Sequence, residues 1–436
     1  MWHGAGREPQ FGFAVNPPIL PLPLVAGVEL IIRKTGSVVW LNRTVIGIGL
    51  ASLCSDWSHE IASVLLPAFL ATMGVAAAWL GLIEGVADGL ASFAKMASGY
   101  YTDRLARRKL IAVAGYVLTA LGTALIGVAS SAWQVLAARA TAWLGRGIRT
   151  PVRKALLAGA VTRETYGRAF GFERMMDTVG AIIGPLTALL LLQLLRHNYS
   201  LIFALTLIPG LAAAAVMAWV VVEKQRIAVS HVNFGASLRA LPTRFRRLLI
   251  AVGLFGMGDF AHTLLILLAV QRLTPVIGAA RAVTIATGLY VLHNVLYAAF
   301  SMIGGALADR MHKGRLLALA YFLAGLMALA IMLLPLTAWT LGLVFVMGGI
   351  YVALEETLED AFCAELVSDA QHGMAFGALA TVNGIGDFVS SLIVGGLWTL
   401  FGVTVAFGYS AVLFFVGSGM VLRLAKTSTG LAKPIA

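Results

Sequence analysis

The stretch Gly99-Tyr100-Tyr101-Thr102-Asp103-Arg104 returns later in the chain as Gly305-Ala306-Leu307-Ala308-Asp309-Arg310, and Gly167-Arg168-Ala169-Phe170-Gly171 returns as Gly373-Met374-Ala375-Phe376-Gly377. Both pairs stand 206 residues apart. One short match in a chain rich in Gly and Ala could be chance. Two matches at one spacing mark a duplication, with the second half repeating the first in the same direction.

The material around these echoes is apolar. Of 436 residues, 59% are hydrophobic and 12% charged, with a mean hydropathy of +0.89, whereas soluble domains run nearer about 45–50% apolar and about 25% charged. The runs are long and continuous rather than alternating, which points to membrane helices and away from a β-barrel. At about twenty residues per crossing, twelve spans fit: 44–72, 76–102, 108–129, 133–158, 169–194, 199–222, 247–270, 283–308, 315–336, 340–364, 374–399 and 403–424. The expected organisation is a leader over 1–43, a six-helix half over 44–222, a linker over 223–246, a second half over 247–424 and a tail over 425–436. Pro18, Pro21 and Pro23 interrupt the leader's apolar stretch, so it reads as a disordered or interfacial cytoplasmic leader rather than a span, with a cleaved signal peptide as the alternative.

The net charge of +12 does not call for nucleic acid, because the basic residues sit in alternate connections. Arg104, Arg107, Arg108 and Lys109 follow span two; Lys224, Arg226, Arg239, Arg244, Arg246 and Arg247 follow span six; Arg310, Lys313 and Arg315 follow span eight. By the positive-inside rule these loops and both termini face the cytoplasm. Cys54 and Cys363 both belong to apolar stretches and supply no disulfide framework or thiolate metal spacing. No Gly-x-x-x-x-Gly-Lys-Ser/Thr phosphate loop occurs, and no cofactor is expected.

Gly99-x-x-x-Asp103-Arg104-x-x-Arg107-Arg108, with its second copy from Gly305 to Arg315, resembles the signature between the second and third helices of the major facilitator superfamily. Gly145-Arg146-Gly147-Ile148-Arg149-Thr150-Pro151-Val152-Arg153 and Gly167-Arg168-Ala169-Phe170-Gly171 resemble the fourth-to-fifth helix region of its bacterial efflux permeases. Gly180-x-x-x-Gly184-Pro185 is similar to a Gly-Pro pattern in the family's antiporters. The first signature has Ala106 where the pattern favours Gly, and the second keeps Gly314. The resemblance implies an all-α fold of twelve transmembrane helices in two pseudo-symmetric halves, a monomer in the bacterial inner membrane, and export.

Charge inside a bilayer is costly, about 2.5–3.5 kcal/mol on insertion scales, so each such residue needs a partner, a watery cavity or a task. Span one carries Asp56, His59 and Glu60 on one helical face, and span seven repeats the Asp-x-x-His spacing with Asp259 and His262. Either these titrate or bind ligand, or they hydrogen-bond neighbouring helices. Span two carries Glu84, Asp88 and Lys95 within about 40° of one another; two ionised neighbours would repel, so one of the acids holds a proton. A polar seam against span eleven, with Asp387 nearby, is the competing reading. Asp177 corresponds to Asn383 and is a further buried candidate.

Arg139, Arg146, Arg149 and Arg153 form a stripe on span four. At the repeat spacing, Arg149 and Arg153 correspond to Glu355 and Glu359 on span ten. Salt bridges between these two sets would close the cytoplasmic side, together with a latch from Asp103, Arg104, Arg107, Asp309 and Arg310. The alternative is pairing within each half, with Glu173 and Asp177.

The functional expectation is a secondary transporter working by alternating access, exporting a small organic molecule in exchange for protons carried by Asp56, Glu60, Glu84 and Asp88. Its partners are substrate, protons and lipid, with no nucleic acid. A divalent-metal exporter using Asp56, His59, Glu60, Asp259 and His262 is the rival. A non-transporting receptor on the same fold is another. No convergent nucleophile, base and oxyanion donor set argues for an enzyme.

Overall fold

The computed structural model describes residues 40–74, 77–224 and 233–426. Nearly all of the leader over 1–43 and most of the tail over 425–436 lie outside the described residues. The spans run Arg43–Thr72, Ala77–Arg104, Lys109–Leu125, Ala132–Ala160 and Tyr166–Leu194 for one to five, then Tyr199–Leu205 with Leu207–Trp219 for six. Span seven is Thr243–Gly256 with Thr263–Ile277, and eight to twelve are Ala279–Ala308, Lys313–Leu333, Ala338–Leu366, His372–Phe401 and Val403–Lys426. The region expected as linker holds a short helix, Phe234–Arg239, and its last residues already belong to span seven.

Among the described residues, eight helices are long and apolar enough to cross a membrane. Spans one, two, four and seven are the remainder. Span one carries Asp56, His59 and Glu60, span two carries Glu84, Asp88 and Lys95, and span four carries four arginines and Lys154. Span seven is broken. These four helices carry many of the candidate groups, while spans ten and eleven, apolar enough to cross, carry Glu355, Glu359 and Asp387.

The break corrects the expectation of a continuous span over 247–270. Residues 257–262 leave the helix after a glycine-rich turn (Gly253, Gly256, Gly258), and Gly256 packs its backbone against Gly386 of span eleven. Backbone groups freed inside a membrane need partners. The carbonyl of Asp259 takes a hydrogen bond from Ser390 Oγ. Span six breaks more mildly at buried Thr206, whose carbonyl accepts from Ser58 Oγ at 2.8 Å.

The halves meet as the repeat dictates. In a pseudo-two-fold arrangement, contact of residue i with j implies contact between their counterparts. Gly99 lies on the backbone of Gly373 and Gly377, and its counterpart Gly305 lies on Gly167 and Gly171. A side chain at any of these positions would collide with the facing backbone, so glycine permits spans two and eleven, and five and eight, to approach closely. Two carboxylates lock the approach. Asp103 accepts from the backbone N–H groups of Gly373 (2.9 Å) and Met374 (2.8 Å) at the start of span eleven. Asp309 accepts from those of Gly167 (2.7 Å) and Arg168 (3.2 Å) at the start of span five, and from Arg168 Nε (2.7 Å). Each carboxylate caps a helix N-terminus of the opposite half, where unsatisfied N–H groups and the helix dipole favour negative charge.

These contacts lie at the end bearing the basic loops. Toward the other end of span two, Gly81, Gly85 and Gly89 have no atom within 4 Å of where a Cβ would stand, and Gly288, Gly395 and Gly396 are equally open. The halves are clamped at the basic end, and further along spans two and eleven an apolar crevice opens between them beside Gly85 and Gly89.

Candidate substrate and coupling site

Two cavities share part of their lining. The larger, about 400 Å³, lies within the second half and is walled by the break in span seven (Asp259 to His262), Tyr290 of span eight, Glu355 and Glu356 of span ten, and Asn383 and Asp387 of span eleven. The smaller, about 160 Å³, lies between the halves; it shares Glu356, Asn383 and Asp387, and adds Lys95, Arg146, Arg149, Arg153, Lys154, Arg174 and Asp177 from the first half and Glu359 and Asp360 from the second. The first half therefore presents a basic wall and the second an acidic one.

The basic wall is organised by span four. Arg153 reaches Glu173 at 2.8 Å and Asp177 at 3.5 Å, and donates to Ser52 Oγ at 2.6 Å, while Ser52 in turn donates to Glu173 at 2.8 Å. Asp56 stands 3.4 Å from Arg146 and 3.8 Å from Arg149. Arg149 is 1% exposed. Its guanidinium lies 4.4 Å from the centre of the Tyr116 ring, and its Nε and Nη1 have no hydrogen-bond partner. Nearer the open end, Arg139 pairs with Glu84 at 3.0 Å and donates to Ser63 at 3.2 Å; Ser63 meets His59 Nε2, and the His59 ring packs on Trp143.

The acidic wall is different in kind. Asp259 accepts from Tyr351 Oη at 3.0 Å. Glu359 accepts from Asn383 at 2.7 Å and from Tyr321, and its carboxyl lies against that of Glu355. None of Asp259, Glu355, Glu359 or Asp387 makes an ion pair among the described residues. Lys95 and Asp387 face one another across the smaller cavity without touching. His262 and His293 pack at a tilt with ring centres 4.8 Å apart, and each keeps one ring nitrogen unpartnered.

Ion pairs that cross between the halves include Lys154 with Asp360 at 2.6 Å, Arg174 with Glu356 at 3.0 Å, and Arg168 with Asp309 at 2.7 Å. They correct the expected gate. Arg149 and Arg153 do not reach Glu355 or Glu359, because Asp56, Glu173 and Asp177 sit nearer on their own half and satisfy them there. Asp103 and Asp309 cap helices of the opposite half, whereas Arg104 folds over Tyr100 of its own helix and Arg107 and Arg310 are exposed.

The proton-carrier candidates are also redistributed. Asp56 and Glu84 are held in ion pairs with arginines, Glu60 makes none among the described residues, and exposed Asp88 faces an apolar crevice beside Phe93 and Phe388 rather than either central cavity. Asp177 is committed to Arg153 and Arg174. Sequence reasoning missed Glu356, Asp360, Lys154 and His293. Lys154 and Asp360 stand at the repeat spacing, one residue beyond Arg153 and Glu359, so extending the same comparison by one position finds them. No group of three His, Cys, Asp or Glu suited to a metal exists among the described residues; Asp56 and His59 turn to arginine, serine and tryptophan instead.

The arrangement can hold a small polar molecule between opposite charges, and can take up protons on acids not already engaged by a cation. The model described as Major Facilitator Superfamily matches residues 48–390. An uncharacterized MFS-type transporter of Methanocaldococcus jannaschii is 27% identical over 382 residues, covering 88% of this chain and 94% of that one. The multidrug resistance protein MdtH of Salmonella arizonae is 31% identical over 144 residues, 32% of this chain and 35% of its own length. Among solved structures, the human organic anion transporter MFSD10 has a TM-score of 0.73 at 17% identity, covering 87% of this chain and 99% of that one, a likeness of fold.

Proposed function

This chain belongs to the major facilitator superfamily, and from that premise we propose that it exports a small organic molecule across the inner membrane in exchange for protons, by alternating access. The observation that carries the reading is the contrast between the walls of the cavities: Arg153, Lys154 and Arg174 held in close ion pairs, and Asp259, Glu355, Glu359 and Asp387 without a cation. An acid with no ion pair can gain or lose a proton without breaking one. Asp259, Asp387, Glu355 and Glu359 are therefore the coupling acids in this reading, ahead of Asp56 and Glu84.

With the basic loops in the cytoplasm, the clamped end is the cytoplasmic one and the conformation is outward-facing. Protons arriving from outside neutralise the acidic wall, which removes the charge that holds a cationic group of the cargo. The likeness to part of a multidrug resistance protein supports export over import. Reopening inward requires Asp103 and Asp309 to leave their helix ends and the cross-half ion pairs to part.

Everted vesicles enriched in the protein test the reading. After respiration acidifies their interior, adding a transported compound should release protons, read with a pH-sensitive dye, and Asp387→Asn should abolish that release while compound exchange at equal pH persists. Uphill compound movement without any proton release would refute the coupling. Absence of both exchange and proton release across a broad compound panel would favour a receptor on this fold.

A further inference from the structure

We infer that the cargo is a zwitterion, its acidic group seated on Arg149 and Arg146 and its amine on Asp259 and Glu355; the inference rests on the transport reading above and names its substrate class.

Arg149 is the anchor of the argument. A guanidinium has five N–H donors in a fixed fork, and an unsatisfied buried donor costs on the order of 1–3 kcal/mol, more for charged groups. Arg149 is almost wholly buried, stacks on Tyr116, keeps only a long 3.8 Å contact to Asp56, and leaves Nε and Nη1 unpaired while it lines the smaller cavity. Arg146 lines the same cavity with its side chain 28% exposed. Arg153 has been neutralised by Glu173 and Asp177, and Arg174 by Asp177 and Glu356. Arg146 and Arg149 thus share one carboxylate, Asp56, on the first-half wall, while Glu359 and Asp387, without a cation, stand on the opposite wall of the same cavity. A carboxylate or phosphonate on the cargo supplies an acceptor for an unpartnered donor of Arg149 in a charge-assisted hydrogen bond.

The second pole follows from the adjoining space. The larger cavity shares the lining residues Glu356, Asn383 and Asp387 with the smaller, and the proposed cargo reaches past these side chains into both. Its wall offers Asp259 and Glu355 with no Lys or Arg in ion-pair contact. An anion alone would have to lie beside these acids, and a cation alone beside Arg149. A molecule with both charges, oriented one way, meets a complementary partner at each end. About 400 Å³ suits a molecule in the small-ligand range.

The experiment uses matched triads of one skeleton: phenylalanine, 3-phenylpropionate and phenethylamine, with parallel aliphatic and phosphonate sets. Binding to the purified full chain is read by thermal shift, and exchange by counterflow in proteoliposomes at equal pH on both sides. Zwitterions should bind at least about tenfold tighter than either singly charged mate, and Arg149→Gln and Asp259→Asn should each lose about that factor. The decisive sign is a switch in preference: R149Q should no longer distinguish the zwitterion from the amine, and D259N should no longer distinguish it from the acid, which a merely structural defect would not produce. Equal binding of amine and zwitterion by the unaltered protein, or no shift from any zwitterion in any set, overturns the inference. Binding with the predicted preference but without counterflow would sink the transport reading alone, while counterflow of singly charged or neutral compounds only would sink the zwitterion and leave transport standing.

Discussion

Removing both latch carboxylates, Asp103→Ala with Asp309→Ala, should shift the protein strongly toward the form open at its basic end. Each aspartate satisfies two backbone N–H groups at a helix start in the other half, and Asp309 also holds Arg168. Losing a capping side chain costs about 0.5–2 kcal/mol, and the charge at the helix terminus adds about 0.3–1 kcal/mol. A value near 2 kcal/mol per latch is reasonable. The two sites share no partner, so their effects should add to about 4 kcal/mol, roughly a thousandfold change in the ratio of closed to open forms. Because each latch exists only while the halves touch, the cost falls on the closed form alone. Spin labels at exposed Leu105 and Met311, which are counterparts in the repeat, report the separation of the basic ends by pulsed electron resonance. The native protein should give a short distance, either single variant a mixture, and the double variant mainly a longer one. A distance distribution unchanged in the double variant, with the fold intact by thermal melt, would refute the latch.

Breaking the buried Lys154–Asp360 pair by Lys154→Ala should lower the stability of the clamped form by about 3–5 kcal/mol, since it strands a carboxylate, and Asp360→Asn in the same chain should recover most of the melting temperature; failure of that rescue would count against pairing. Gly305→Val should force span five away from span eight, because the facing Gly167 backbone leaves no room for a side chain, and the Leu105–Met311 distance should lengthen as in the latch variants. Glu173→Gln should destabilise by about 3–5 kcal/mol by leaving Arg153 short of charge, whereas Asp88→Asn, in the side crevice, should change the melting temperature by less than about 0.5 kcal/mol equivalent. A chelator should leave the melting temperature unaltered; a drop reversed by a divalent ion would revive metal transport.

Composition and the paired echoes were enough to reveal the twelve-helix, two-half architecture, because hydropathy and repeat spacing are properties of the chain itself. The latch was half legible. Asp103 and Asp309 stood out, but their partners are backbone amides 270 and 142 residues away, and no side-chain pattern advertises an amide. The gate was misplaced for a related reason: repeat spacing identifies counterparts, and counterparts meet only near the symmetry axis. Arg149 and Arg153 lie off that axis and find Asp56, Glu173 and Asp177 first. The break in span seven was hidden because Gly253, Gly256 and Gly258 in an apolar run read equally well as a close-packed helix. Which acids lack a cation depends on packing between helices, and the sequence contains no direct trace of it.

The Lys154–Asp360 contact has a historical meaning. Two residues exactly one repeat apart touch where the rotation axis passes, and in a dimer of identical ancestors that spot would have juxtaposed two copies of the same side chain. Opposite charges there require two copies that have diverged in sequence. Once lysine and aspartate had settled on either side, neither half could again assemble with its own twin without burying like against like, so a reversible partnership of equals had become a permanent division of labour.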